Sequence, residues 1–183
     1  MPRGSTAGTV RPVYQVLLIG GPAGVGKSTV GWEVSARLQA SDVPYCLVEG
    51  DFMDQIHPAP PGDPHRAAIT ERNLAAIWAN YAELGQRRLI YTNTVSILDA
   101  PLVLRAMGHP ATEATCVLLT AGRDTVRERL ARREIGTQLE RHIERSAFMA
   151  RHLDEHAPEN TIRINTDGRT VTDIAEEVCA AWP

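Results

Sequence analysis

Residues Gly21-Pro22-Ala23-Gly24-Val25-Gly26-Lys27-Ser28 match G-x-x-x-x-G-K-[ST], the spacing of a phosphate-binding loop. Each position has a physical task. The glycines let the backbone curl and aim several N–H groups at one point, making an anion nest at a helix N-terminus. Lys27 is placed to reach the β- and γ-phosphates, and the Ser28 hydroxyl to hold Mg²⁺. Thr29 continues the segment into the helix, so the nucleotide-binding set runs from Gly21 through Thr29. The chemistry this predicts is binding of ATP with Mg²⁺.

A second cluster, Glu49-Gly50-Asp51, follows the apolar pair Leu47-Val48. Phosphoryl transfer to an alcohol needs a carboxylate that orients the attacking hydroxyl and takes its proton. Asp51 is the residue predicted for that role, with a contact to Mg²⁺ beside Ser28. Its alternative task is to cap a helix. Asp54, a turn further on, is a candidate acceptor contact. The run Leu89-Ile90-Tyr91-Thr92 ends at Asn93, where many phosphate-loop proteins place an acidic residue to support the metal. An amide can bond a metal-bound water or the γ-phosphate but supplies no charge. The supporting carboxylate therefore shifts to Asp51 or Glu49, and Asn93 becomes a substrate-facing candidate.

A third cluster is arginine-rich. Arg129 and Arg133 are four residues apart and share a helix face. They are predicted to stack on the adenine and to neutralise charge on the transferred phosphoryl group. Arg127 and Arg132 read instead as solvated, with Glu128 and Arg132 pairing along the helix. Residues 133–155 are expected to form a lid hinged at Gly136-Thr137, since a kinase must keep water from the γ-phosphate. Arg141, His142, Arg145 and Ser146 are its candidates to face either substrate or solvent. Asn165 and Asp167, just past the last apolar run, are candidates for the adenine rim. Between the second cluster and the next helix, His57 to Arg66 carries four prolines, which forbid a regular helix or a central strand. Within and beyond it, His57, His65, Arg66 and Arg72 are candidate acceptor contacts.

These residues must be positioned by an alternation of strands and helices. Apolar strand-like runs lie at 13–19, 45–48, 87–92, 114–119 and 161–164. Helical patterns lie at 27–40, 67–84, 95–107, 122–133, 138–155 and 170–181. Such alternation predicts an α/β fold with a parallel sheet and helices on both faces. Ligands bind such sheets beyond the carboxyl ends of the strands, where all the clusters above fall. Residues 1–12, polar and proline-flanked, read as a disordered tail. Residues 13–183 read as a single domain with a substrate-binding region at about 51–85.

Composition sets limits on partners. The 183 residues carry a net charge of −3, which offers no basic field for nucleic acid or an anionic membrane. No run approaches the length of a membrane span, and residues 1–12 hold no apolar core of a secretory signal. The three cysteines lack metal-ligand spacing and read as buried free thiols of a cytoplasmic protein.

Four passages together carry a resemblance. They are Gly21 to Ser28, Glu49-Gly50-Asp51 with His57-Pro58, Arg129-Leu130-Ala131-Arg132-Arg133, and Ser146-Ala147-Phe148 ahead of Leu153 to Pro158. In order and spacing the chain resembles the small phosphate-loop kinases related to gluconate, shikimate and chloramphenicol kinases, in the nucleoside-monophosphate-kinase-like group. The resemblance implies a three-layer P-loop NTPase fold with a five-stranded parallel sheet, a helical lid, and ATP with Mg²⁺ as donor. It departs from the gluconate kinases across 57–72, so gluconate itself is not implied as acceptor. The activity expected is transfer of the γ-phosphoryl group of ATP to a hydroxyl of a small polar molecule. Two alternatives stand beside it: a polynucleotide 5′-hydroxyl kinase, which the acidic balance disfavours, and a non-catalytic adenine-nucleotide-binding regulator. A homodimer is left open.

Overall fold

Val16, Leu17, Leu18 and Ile19 have no exposed surface. Successive side chains of a strand point to opposite faces, so four consecutive buried residues require a cover on both sides. The computed structural model describes residues 14–133 and 138–182. In chain order it contains β1 (Tyr14–Gly20), α1 (Lys27–Ala40), β2 (Cys46–Glu49), a 3₁₀ turn (Gly50–Phe52) and α2 (Ala67–Glu83). There follow β3 (Arg88–Thr92), α3 (Ala100–Met107), β4 (Thr112–Thr120), α4 (Arg123–Arg133), α5 (Leu139–His156), β5 (Ile162–Asn165) and α6 (Val171–Ala181). The strands form one parallel sheet in the order β2-β3-β1-β4-β5, with β1 at its centre.

Two apolar layers sandwich this sheet. On one face Val16, Leu18, Leu89 and Tyr91 pack with Leu74 and Trp78 of α2 and Val103 and Met107 of α3. On the other, Leu17, Ile19 and Ile90 pack with Val30 and Val34 of α1, Val126 and Leu130 of α4, and Ile174 and Val178 of α6. Helix α5 joins both layers, giving Ile143 to the second and Leu153 to the first. The described part of the predicted lid is therefore seated on the body of the fold, because its apolar positions are buried there. The proposed hinge Gly136-Thr137 and the tail 1–12 lie outside the described residues.

Register carries the fold to the site. Ile19 pairs with Thr92, Glu49 with Thr92, Gly20 with Leu118, and Thr120 with Asn165. The carboxyl ends of all five strands thus form one row, and every polar cluster follows one of them.

Two boundaries differ from the sequence pattern by more than one residue. The helix expected over 95–107 begins only at Ala100. Pro101 sits in its first turn, where its missing N–H costs nothing, but a helix running through it would lose a hydrogen bond and clash one turn back. Strand β4 begins at Thr112, two residues early, because Thr112 and Glu113 pair with Tyr14 and Gln15 through backbone alone. Helix α2 begins as expected after the proline-rich stretch. The Asp63 carboxylate accepts the Ile69 N–H at 3.1 Å, satisfying one of the donors left over at the helix start.

Trp78 links α2 to α3: its ring is 3% exposed and its indole N–H donates to the Met107 carbonyl at 3.1 Å. Replacing it, Trp78→Ala, should cost about 3–5 kcal/mol of stability. A urea unfolding midpoint that moves by less than about 1 kcal/mol equivalent would show that the two helices do not depend on this ring.

Candidate active site

The phosphate loop follows β1. Gly21 has φ +144°, and a Cβ there would come within 2.6 Å of the Leu119 carbonyl oxygen. Only glycine fits at that close approach of loop to β4. Gly26, at φ +99°, turns the chain directly into α1. The loop's carbonyls accept side-chain hydrogen bonds. Pro22 O accepts from Lys27 Nζ at 3.2 Å, Ala23 O from Ser146 Oγ at 2.8 Å, and Gly24 O and Val25 O both from Arg129 Nη1 at 3.3 Å.

Beside the loop lies a cleft of about 550 Å³. It is lined by residues 23–29 of the loop and first helical turn, other than Val25, together with Glu49, Asp51, Phe52, Thr94, Arg129, Leu130 and Arg133. The end of β2 contributes two carboxylates on either side of Gly50. A Cβ on Gly50 would collide with the Tyr91 hydroxyl and ring and with Asn93, so the turn that sends the two carboxylates forward requires glycine. Glu49 Oε2 accepts from Ser28 Oγ at 3.2 Å, and Glu49 Oε1 from Trp32 Nε1 at 3.0 Å. Asp51 Oδ1 accepts from Asn93 Nδ2 at 2.9 Å. The Asn93 amide is itself oriented, since its Oδ1 accepts the Val95 N–H at 3.0 Å. Asn93, predicted to face substrate, therefore spends its amide on aiming Asp51.

Other predicted residues are placed differently. Arg129 lines the cleft, but its guanidinium is turned onto the loop carbonyls and onto Thr166, with Nη1 to Oγ1 at 2.9 Å and Nη2 to O at 3.0 Å. Arg133 lines the cleft and is exposed. Ser146 bonds the loop rather than pointing to a substrate, because α5 packs against it. Asp54, His57, His65, Arg66 and Arg72 do not line the cleft; the Arg66 Nε donates to the Ile56 carbonyl at 3.3 Å. Asn165 and Asp167 do not line it either. The Asn165 side chain accepts the Asp167 N–H, and the Asp167 carboxylate accepts the Gly122 N–H. Hydrogen bonds from the Thr125 side chain and the Gly122 backbone hold Asp167 below the usual carboxylate range, so it serves the start of α4. Arg127 and Arg132 pair with Glu140 and Glu128. Sequence reasoning missed Trp32, Thr94 and Thr166. Only Trp32 carried a signal, its four-residue spacing from Ser28, and that identifies a shared helix face but no partner.

The donors beside the loop are all oxygens: the Ser28 hydroxyl and the Glu49 and Asp51 carboxylates. That set fits Mg²⁺, which favours one or two carboxylates together with substrate phosphates and retained waters. No helix among the described residues is long and apolar enough to cross a membrane.

No family model matches the chain, and no curated protein does. Solved structures match it in fold. The tunicamycin resistance protein of Deinococcus radiodurans is 19% identical with a TM-score of 0.58, over 91% of this chain and 94% of that one. A gluconokinase from Sinorhizobium meliloti is 18% identical with a TM-score of 0.58, over 93% of each chain. The shikimate kinase of Acinetobacter baumannii is 16% identical with a TM-score of 0.54, over 91% of each. The expected fold is thereby met: the chain has the three-layer α/β architecture, with its five-stranded parallel sheet, that small P-loop kinases share.

Burial holds the Lys27 ammonium below the ordinary lysine range; Asp51 opposes that shift, Arg133 adds to it, and Glu49 opposes it. Below its lowered native value Lys27 is charged in both folded and unfolded states, and folding bears the whole cost of desolvation. As pH rises through that value the native group releases its proton first, so stability rises until the unfolded value of about 10.4 is passed. Lys27→Met lacks this gain. Denaturant melts of the two proteins from neutral pH to about 10.4 should show their difference shifting in favour of the wild type. A constant difference would mean that the ammonium is not strained.

Proposed function

We propose that the protein is an ATP-dependent phosphotransferase acting on a hydroxyl of a small polar molecule. The observation that carries this reading is the convergence of Lys27, Ser28 and Asp51 on one cleft, with Asp51 aimed by Asn93. A switch that only binds nucleotide has no use for a second carboxylate fixed in front of the phosphate loop. The likeness in fold to kinases of several different small molecules supports the reaction class without naming an acceptor.

The residues divide the work as follows. The loop N–H groups and Lys27 hold the β- and γ-phosphates, and Arg133 adds positive charge at the mouth of the cleft. Ser28 and Glu49, with Asp51 nearby, would hold Mg²⁺, which supplies charge neutralisation at the phosphates when bound. Asp51 accepts the proton of the acceptor hydroxyl as its oxygen bonds to the γ-phosphorus. The bond from that phosphorus to the β-bridging oxygen breaks, and ADP leaves. Asn93 keeps Asp51 in line by donating to one carboxylate oxygen, leaving the other for the hydroxyl. Arg129 acts through the loop it braces, which sets the shape of the nest.

The direct experiment is ADP release on a panel of sugars, sugar acids, nucleosides and hydroxylated antibiotics. Asp51→Asn should abolish transfer to any acceptor found while leaving the affinity for a non-hydrolysable ATP analogue nearly intact. Turnover near the wild-type rate would remove Asp51 from the mechanism. Lys27→Ala should lower kcat on the order of 10²–10³-fold, as loss of other preorganised charges does. An unchanged kcat would count against the loop as the phosphate site.

A further inference from the structure

We infer that Trp32 is a positioning residue for the metal-side carboxylate, holding Glu49 so that a single oxygen faces Ser28. This inference rests on the ATP·Mg²⁺ reading of the cleft given above. Glu49 is the last residue of β2, and its backbone is fixed by pairing with Thr92. Its carboxylate stands at the end of a flexible side chain, which the backbone alone does not aim. Trp32 lies four residues after Ser28 on α1, so the two side chains occupy the same helix face. Both reach Glu49: the indole N–H meets Oε1 at 3.0 Å and the serine hydroxyl meets Oε2 at 3.2 Å.

The chemistry of the two donors differs. An indole N–H only donates, so its bond to Oε1 has one possible sense, and together with the serine bond to Oε2 it sets the plane of the carboxylate. A serine hydroxyl has one hydrogen and two lone pairs. With the hydrogen given to Oε2, the lone pairs of Ser28 are left for the cleft, where a cation beside the phosphates would need them. The same geometry leaves the outer side of Oε2 free to accept from a metal-bound water. Removing Trp32 would keep the charge of Glu49 and lose its direction.

Core packing does not account for this residue. Trp78 and Trp182 are 3% and 4% exposed and belong to the two apolar layers. Trp32 is 59% exposed, and its indole N–H donates to Glu49.

The test uses the whole protein and Mg²⁺ itself. Trp32→Phe keeps an aromatic ring and removes the donor; Trp32→His restores a ring N–H. Calorimetric binding of a non-hydrolysable ATP analogue, repeated across Mg²⁺ concentrations, should show Trp32→Phe needing about tenfold more metal for half-saturation, as loss of a ligand's orienting partner does elsewhere. Affinity for the analogue in chelator should be unchanged, and Trp32→His should recover part of the metal dependence. In the wild type, paramagnetic Mn²⁺ with the analogue should broaden the Trp32 indole N–H resonance before those of Trp78 and Trp182. A Trp32→Phe metal curve that superimposes on the wild type, or Mn²⁺ broadening that spares Trp32, overturns the inference and leaves the proposed function standing. Absence of any metal-dependent analogue binding in the wild type overturns both.

Discussion

A phosphate nest works only if its N–H groups all face one way, and peptide geometry then forces the carbonyls outward. In this protein that outward row is occupied. The carbonyls of Pro22, Ala23, Gly24 and Val25 accept side-chain hydrogen bonds from Lys27, Ser146 and Arg129, which come from α1, α5 and α4. Helices α4 and α5 therefore brace the loop through Arg129 and Ser146, and Lys27 folds back onto it from the start of α1, while β1 and the close contact with β4 set its entry. These bonds are partly buried, and those of Arg129 and Ser146 tie the loop to helices far away in sequence. They make its shape the one in which the surrounding helices can pack.

The cleft in front of the loop depends on a second constraint, the turn at Gly50. It places two carboxylates two residues apart at the end of β2, and neighbouring side chains give them separate tasks. Glu49 is drawn toward α1 by Ser28 and Trp32, and Asp51 toward the end of β3 by Asn93. Tyr91 packs beneath the turn and admits no Cβ there. Desolvation raises the pKa of its buried phenol, with the charges of Asp99, Asp51 and Asp54 adding to the rise, so the group under the turn stays neutral. Like-charged carboxylates are kept useful side by side because each has its own donors.

Much of the architecture was legible from local pattern. The apolar run before Gly21 read as a buried parallel strand, and helix spacing located α1, α2, α4, α5 and α6 to within a residue or two. Pro101 carried enough information to move the start of α3, but apolar content on either side of it masked the break. The site was legible where one residue type has one use, as with Lys27 and Ser28 behind a glycine turn. It was ambiguous where a residue type has several. Arg129, Asn93 and Ser146 were candidates to face a ligand from their polarity and position, and each bonds the protein itself.

By itself, the sequence determined the phosphate loop, the strand–helix alternation and the clustering of polar residues at strand ends, because those follow from contacts within a few residues. The tertiary structure alone decided which side chain meets which across the sheet. Asn93 reaches Asp51 over 42 positions, Ser146 reaches Ala23 over 123, and Arg129 reaches Gly24 over 105. Such pairings depend on strand order and helix seating, which place β3 beside β2 and α4 and α5 behind the loop. No local periodicity encodes them.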